Sequence, residues 1–353
     1  MNVPLPQSRA PGQPQARSAF TLVEVLVSMV ILAMMMLIIT SVIGQAQKSW
    51  RAASSRVTQF REARQAFDTV TRNLRQATIN SYRDYYYGGG THAPSTMLEP
   101  PAGIKVWAEL GIKFDRASQM VNGVGGAVNL PGHAVMFQAP LGKTAQALYD
   151  PLKNLLCARG YFVMFGSDSD YLPRKLAARL QPRYRYRLME YQPNTENNSV
   201  YGPTLGEWTS IDYSKEQNVI HPVAENVVVM ALGATFVTTQ TNSNSTPDLA
   251  SDSTNPIEFK YDSYLEGGGL GTAYRLPRSV QVVMVAVDEE SASRMAQQMG
   301  NAAPNFAGAA GASFTNPTSL KDDLEKLTRY MQEKRMNYRV FSSSVLIMAA
   351  GGA

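Results

Sequence analysis

The chain has 353 residues, of which 44% are hydrophobic and 17% charged, so it is long enough to bury a substantial core. Its formal charge of +5 falls to +3 when the first 19 residues, which hold Arg9 and Arg17, are left out. Either value is too small to indicate a nucleic acid as partner. The single cysteine, Cys157, excludes an intrachain disulfide.

The N-terminal part of the chain holds a polar leader followed by a long apolar run. The leader, residues 1–19, is rich in proline, glutamine and serine, which is typical of a segment without regular structure. As an α-helix, the run over 20–43 would cover about 36 Å, enough to cross the hydrocarbon core of a bilayer. It is longer than the core of a secretory signal peptide, and no small-x-small cleavage site follows it. We therefore predict a transmembrane helix over 20–43.

One acidic residue, Glu24, interrupts the apolar run. A carboxylate at the centre of a membrane span costs on the order of 2 to 3 kcal/mol, so such an acid is normally kept for a partner or a task. The alternative is a tolerated polar residue that reaches toward the lipid headgroups. Because Arg9 and Arg17 precede the span, the positive-inside rule predicts a cytoplasmic N-terminus, with the rest of the chain across the membrane.

The helical pattern continues beyond the span. No proline occurs over 45–80, and apolar residues recur there at alternating steps of three and four. This spacing predicts an amphipathic continuation of the helix over 44–80, with its apolar stripe laid on a soluble domain.

The remainder, 81–353, predicts an α+β head made mainly of antiparallel strands. Strand candidates are rich in β-branched and aromatic residues and are bounded by glycine, proline, asparagine or aspartate. They cover 133–138, 161–165, 184–191, 226–232, 280–287 and 338–348.

Three long connections are interpreted as insertions. The first, near 85–103, contains glycines and prolines that oppose regular structure, and the second, 238–256, is a polar run that predicts a loop. The third, 289–335, ends in a predicted helix capped at Thr318 or Ser319 and expected to pack on the sheet. Its apolar face is formed by Leu320, Leu324, Leu327 and Met331.

The string AFTLVEVLV, preceded by a basic residue, resembles the processing site of type IV prepilins and type II secretion pseudopilins. In that family a membrane peptidase cuts just before the Phe and methylates the new amine, and a Glu is the fifth mature residue. The resemblance implies cleavage between Ala19 and Phe20, N-methylation of Phe20 and a role for Glu24 in filament assembly. One departure is that the family usually has Gly where this chain has Ala19.

Helix geometry is consistent with this role. The amine of a mature Phe20 would lie one turn from Glu24 on the same helix face, because residues four apart are neighbours. A salt bridge can then form within one chain, or between Glu24 and the amine of a neighbouring subunit. The second arrangement would set the register of assembly.

Weaker resemblances extend along the chain. LPRSVQVVMVAVDE and AENVVVMALGATF resemble strands of the minor pseudopilin J class. FREARQAFDTVTRNLRQATINSYRDYY, RYRYRLMEYQPNTENNSVY and MNYRVFSSSVLI resemble the Verru_Chthon cassette protein C family of prepilin-like proteins. These resemblances imply a pilin-like fold, in which a long N-terminal helix packs on an antiparallel sheet.

Motifs of catalysis are missing from the sequence. His92, His133 and His221 are isolated, without HExxH spacing or a cysteine partner, and no P-loop or nucleophile elbow occurs. We therefore predict no catalytic residues, no metal site and no enzyme activity.

Two weaker patterns occur in the sequence. Asp168 with Asp170, or Asp248 with Asp252, could supply oxygen ligands to calcium, which some pseudopilins bind in a loop. Neither pair supplies the six to eight oxygens that calcium takes, so we predict no cofactor. In the strand over 184–191, arginines alternate with apolar residues. Arg183, Arg185 and Arg187 then form either a solvated strand face, which we favour, or a contact for an anionic partner.

Together these patterns predict a minor pseudopilin-like structural subunit of a filament related to type II secretion or type IV pili. Its partners would be prepilin peptidase, other pseudopilins or minor pilins, and the inner membrane, which it crosses once with its head in the periplasm. The alternatives are a minor type IV pilin for adhesion or DNA uptake, and a membrane-tethered periplasmic binding protein or enzyme.

Overall fold

The computed structural model describes most of the chain. The described residues are 21–88, 96–125, 129–169, 171–202, 207–235, 259–264, 276–299, 302–311, 314–315 and 319–347. The chain divides into two compact units, Met1–Ser54 and Ser55–Ala353.

The long N-terminal helix, α1, runs over Leu22–Arg75. Its first part, Leu22–Trp50, is long and apolar enough to cross a membrane, which confirms the predicted apolar helix. The Ser28 hydroxyl in this part donates to the carbonyl of Glu24 at 2.7 Å, within the same helix. Hydroxyls satisfied in this way suit a helix in lipid, where no water is at hand.

In the second unit, α1 contributes one apolar face to the core. The buried side chains of that face are Ala63, Ala66, Phe67, Val70 and Leu74. Their helical spacing produces one stripe, and the ring of Phe67 stacks on that of Phe341 with centroids 5.7 Å apart. The helix ends at Arg75 rather than at residue 80. Beyond it the backbone N–H of Thr78 donates to the carbonyl of Gln138 at 3.0 Å, so the chain has turned toward the sheet.

The strands and remaining helices follow in chain order. The strands are β1 (Tyr82–Tyr86), β2 (Gly103–Trp107), β3 (Ile112–Arg116), β4 (Val121–Asn122), β5 (His133–Ala139), β6 (Cys157–Ser167), β7 (Tyr184–Tyr191), β8 (Ile211–Asp212), β9 (Ile220–Glu225), β10 (Val227–Thr235), β11 (Tyr261–Asp262), β12 (Ser279–Val287) and β13 (Tyr338–Leu346). The helices are α2 (Ala117–Met120), α3 (Arg174–Ala177), α4 (Tyr213–Glu216), α5 (Glu289–Met299), α6 (Phe306–Ala310) and α7 (Leu320–Glu333).

Among the described residues, the strands form two main antiparallel sheets. The larger has the order β11-β3-β5-β6-β7-β9, and the smaller has the order β10-β12-β13. Strands β1 and β2 form a separate antiparallel ribbon, and β4 pairs with β8 in parallel. The second unit is therefore a mostly antiparallel α+β domain, which confirms the predicted fold class.

The larger sheet is buried on both faces. On one face Phe137 and Tyr161 share a core cluster with α1 and the smaller sheet. On the other face Met136 and Phe162 pack with Trp208 and the short elements around it. Double burial explains why β5 and β6 are almost continuously apolar instead of alternating with polar residues.

The sequence patterns located the long strands and missed the short ones. All six predicted segments overlap observed strands: β5, β6, β7, β10, β12 and β13. Strands β1 and β2 extend into the two ends of the first insertion, which was expected to lack regular structure. The second insertion, 238–256, lies within residues 236–258, outside the described part of the chain.

The third insertion, which we call the excursion, is a helical segment that connects β12 to β13. It holds α5, α6 and α7, and the last of these buries Leu320, Leu327 and Met331 in the main core cluster. Leu324 is partly buried against the same cluster. Ser319 is the N-cap residue of α7, but its side chain makes no capping bond, and Thr318 lies outside the described residues.

Candidate functional site

Glu24 lies in the first turn of α1, three residues after Thr21. The Thr21 carbonyl accepts hydrogen bonds from the backbone N–H groups of Glu24 and Val25 at 3.0 and 3.3 Å. The Thr21 hydroxyl also accepts from the Glu24 N–H, at a long 3.4 Å. Thr21 is thus the N-cap residue, and its T-x-x-E spacing to Glu24 is that of a capping box. The motif was visible in the sequence, although its role in starting the helix was not predicted.

The surroundings of Glu24 are apolar and exposed. Glu24 is the only ionisable residue of the sequence over 22–47. Neighbouring side chains such as Leu22, which is 80% exposed, project outward. Among the described residues, no hydrogen bond or ion pair to the Glu24 carboxylate is formed within the chain. A negative charge in the first turn interacts favourably with the helix dipole and stabilises the helix by about 0.3 to 1 kcal/mol at an exposed site. That gain is smaller than the roughly 2.5 to 3.5 kcal/mol that an unpaired charge costs deep in a bilayer.

The other two residues of the expected processing site, Ala19 and Phe20, lie outside the described residues. Cleavage between them and methylation of Phe20 stay predictions. So does the salt bridge between a mature amine and Glu24.

The arginines of β7 lie neither on a solvated strand face nor in a contact for an anionic partner, the two environments that the sequence left open. The side chains of Arg185 and Arg187 are only 7% and 3% exposed, so they form no solvated face. Arg185 is bonded to Glu289 at 3.0 Å, and Arg187 is bonded to Glu225 at 3.2 Å. Both carboxylates come from distant parts of the sequence, which is why the alternating pattern in β7 could not reveal them.

Arg183 is the exposed member of the group, with 53% of its side chain accessible, and it too has partners. It lies 3.2 Å from Asp168 and 3.3 Å from Glu225. The contact with an anionic partner that these arginines suggested is therefore replaced by internal ion pairs. The interpretation as a solvated strand face is wrong for Arg185 and Arg187.

Of the four aspartates considered as calcium ligands, Asp168 lies within the described residues, and it is bonded to Arg183. Asp168 accepts hydrogen bonds from the backbone N–H of Arg183 at 2.8 Å and from its Nε at 3.2 Å. Burial alone raises the pKa of Asp168, but these bonds and the arginine charges outweigh it and lower the pKa. Asp170, Asp248 and Asp252 lie outside the described residues. Within the described part of the chain, no group of three or more potential metal-ligating side chains occurs.

His133 is a buried structural residue. Its Nδ1 accepts from the backbone N–H of Leu232 at 3.0 Å, and its Nε2 donates to the carbonyl of Phe314 at 3.0 Å. Burial lowers the pKa of His133 to about 4, so the ring is neutral at pH 7. His221 is exposed on β9, and His92 lies outside the described residues.

A polar cleft of about 490 Å³ lies beside His133. Its acidic residue, Asp115, is paired with Lys260 at 3.2 Å, and both His133 nitrogens are already bonded. The remaining reactive candidate, Cys157, is buried with its Sγ 3.2 Å from the Thr195 hydroxyl. These groups are engaged in structural bonds, and the arrangement does not resemble a converging acid–base pair.

The comparison with known protein families identifies one segment. Residues 14–40 match the family model described as the prokaryotic N-terminal methylation motif, and this range includes Ala19, Phe20 and Glu24. No curated protein and no solved structure matches the chain. The motif match supports a type IV pilin- or pseudopilin-like subunit that is anchored through its N-terminus. The finer resemblances, to the minor pseudopilin J class and to cassette protein C, are not shown.

Proposed function

We propose that this protein is a minor pseudopilin-like subunit of a short filament of the type II secretion or type IV pilus kind. The observation that carries the proposal is the methylation motif over 14–40, which coincides with an apolar helix that bears a single acid, Glu24. The role is assembly rather than catalysis.

Prepilin peptidase would cut between Ala19 and Phe20 and methylate the new amine. Arg9 and Arg17 keep the leader on the cytoplasmic side, where the cut is made, and the head lies in the periplasm. After processing, the chain is held in the inner membrane by its apolar helix. It can then be extracted into a filament together with other pseudopilins or minor pilins.

Two forces would hold the subunit in the filament. The exposed apolar side chains of Leu22–Trp50 would pack on the helices of neighbouring subunits, where burial contributes roughly 25 cal/mol per Å² of apolar surface. The Glu24 carboxylate would meet a mature N-terminal amine, and an unpaired charge among apolar helices is costly enough to disfavour a shifted register. The acid would thus select one alignment of the packed helices.

The alternative roles have less support. The minor pilin for adhesion or DNA uptake rested on the basic strand, and Arg183, Arg185 and Arg187 are bonded within the head. The tethered enzyme would need a site of converging acids or histidines, and the acid and the histidine of the polar cleft, Asp115 and His133, are already bonded.

The test is mass spectrometry of the mature N-terminus, in cells that contain a prepilin peptidase. We expect a chain that begins at Phe20 and carries one added methyl group on its amine. A matched strain without the peptidase should retain residues 1–19. An intact leader in both strains, or a cut near residue 46, would overturn the proposal.

A further inference from the structure

The excursion between β12 and β13 closes on itself at its base. The Asp288 backbone N–H donates to the Asn337 carbonyl at 3.0 Å, and the Asn337 side chain donates to Asp288 Oδ2 at 2.8 Å. Asp288 also caps α5, because its Oδ1 accepts from the N–H of Ser291 at 2.9 Å. Strands β12 and β13 pair directly below this point, from Val287 opposite Tyr338 onward. The excursion is therefore joined to the sheet at one point, and its helices add surface beside the paired strands.

The excursion builds a cleft of its own, with a volume of about 600 Å³. The residues of its walls come from α5, from the turn that leads into α6 and from the end of α7 and the residues just after it. A cleft of this volume is within the usual range for a ligand site. Met295, Phe306 and Met336 supply apolar surface, with Phe306 and Met336 almost fully buried beneath it.

The charged side chains that line the cleft among the described residues are basic. Two cations, Arg294 and Lys334, line it, and no carboxylate does among the described residues. The sequence of the excursion is nevertheless balanced, with six acidic and six basic residues over 289–335. Three of those acids are committed to other ion pairs, namely Glu289 with Arg185, Asp323 with Lys326 and Glu325 with Arg329. The positive character of the cleft therefore results from placement and not from composition.

Both cations are held in position. Arg294 donates from one guanidinium nitrogen to the Arg335 carbonyl at 2.9 Å and to the Ser291 hydroxyl at 3.3 Å. The ammonium of Lys334 lies over the ring of Tyr330, 5.7 Å from its centroid. The contacts described for these two cations are to neutral groups, so a negative group entering the cleft would be attracted by both positive charges.

We propose that this cleft binds an acidic peptide segment that also carries an apolar side chain, supplied by another protein. The carboxylate would bind between Arg294 and Lys334, and the apolar side chain would cover Met295 and Phe306. The amide groups of Gln298 and Asn305 also line the cleft and can both donate to and accept from a peptide backbone. The proposal does not depend on the filament role of the N-terminal helix.

The test uses the full chain in a nonionic detergent and a fluorescein-labelled hexapeptide that alternates glutamate with leucine. Fluorescence anisotropy should report saturable binding that weakens as salt is raised, because the charges are exposed to solvent. Hexapeptides that alternate lysine with leucine, or glutamate with serine, should bind at least ten-fold more weakly. Equal binding of all three peptides, or no binding of the first, would overturn the proposal.

Paired variants localise the site. We expect Arg294→Glu with Lys334→Glu to raise the Kd of the glutamate–leucine peptide at least ten-fold. The matched control is Lys321→Glu with Arg278→Glu, which changes the net charge equally at exposed residues that do not line the cleft. The two double variants should melt within a few degrees of each other. Equal loss of affinity in both, or stronger binding to anionic vesicles than to the peptide, would contradict a peptide site.

Discussion

Arg187 provides the sharpest test of the buried ion pairs in β7. It lies opposite Glu225 in the β7–β9 register, and its Nε is 3.2 Å from that carboxylate. Its other nitrogens donate to the carbonyls of Gly166 at 2.9 Å and Arg183 at 3.3 Å. Arg187→Met keeps much of the side-chain volume and removes all three bonds. The carboxylate of Glu225 and two carbonyls then lose a donor.

The magnitude follows from burial. Removing one partner of a buried ion pair costs about 3 to 5 kcal/mol. Because the Glu225 side chain is 32% exposed, water screens part of the pair, and we expect the lower end, about 3 kcal/mol. Arg183→Met is the matched control. Its side chain is 53% exposed, so its loss should cost below about 1 kcal/mol.

The assay is urea unfolding of the full chain in nonionic detergent, followed by the fluorescence of the buried Trp107 and Trp208. With a slope of about 3 kcal/mol per molar urea, Arg187→Met should lower the midpoint by about 1 M and Arg183→Met by less than about 0.3 M. Equal, small shifts for the two variants would show that the strand is solvated and refute the reasoning.

Three further predictions concern single residues. Glu24→Gln should reduce the fraction of subunit recovered in pelleted filaments at least ten-fold, because the amine of the neighbouring subunit would lose its counter-charge. The control, Ser28→Ala, loses only a bond to the Glu24 carbonyl and should leave the recovered fraction unchanged. His133→Gln should abolish a loss of unfolding free energy between pH 6.5 and about 4, measured by urea titration at several pH values. The sign follows because burial lowers the pKa of His133 to about 4, so the unfolded chain, with a histidine pKa of about 6.5, binds a proton that the folded chain excludes. Gly132→Ala should lower the free energy of unfolding by more than about 1 kcal/mol, since φ is +72° and a Cβ would lie 2.3 Å from the Met230 carbonyl oxygen. Gly125→Ala, whose Cβ would meet nothing within 4 Å, should leave the free energy of unfolding unchanged in the same urea titration.

The sequence patterns succeeded where a local signal was strong. The long strands β6 and β12 are rich in β-branched or aromatic residues and are apolar over many positions, and β7 shows a regular alternation of arginines with tyrosine and leucine. Strand β9 was missed because it is short, contains Pro222 and exposes His221, so it has neither an apolar run nor clean alternation. The helix over Leu320–Glu333 was found because its apolar residues follow one helical face.

The functional features also differ in how far the sequence could predict them. The methylation motif, the apolar helix and the acid at Glu24 are contiguous, so their meaning could be read from a few neighbouring residues. The cleft of the excursion escaped prediction because Arg294 and Lys334 are forty positions apart, and only the folding of the excursion brings them to one cleft.

The sequence by itself determined that an apolar helix bearing one acid is followed by an antiparallel α+β head. Those properties depend on composition and on spacing along the chain, which hold before folding. The tertiary structure alone decided which charges are available to a partner. Arg185 and Arg187 are paired with Glu289 and Glu225 from distant segments, whereas Arg294 and Lys334 line one cleft whose described lining residues include no carboxylate. The interaction energy of a charge depends on its distance to every other charge and on its burial, and both are fixed only when the chain has folded.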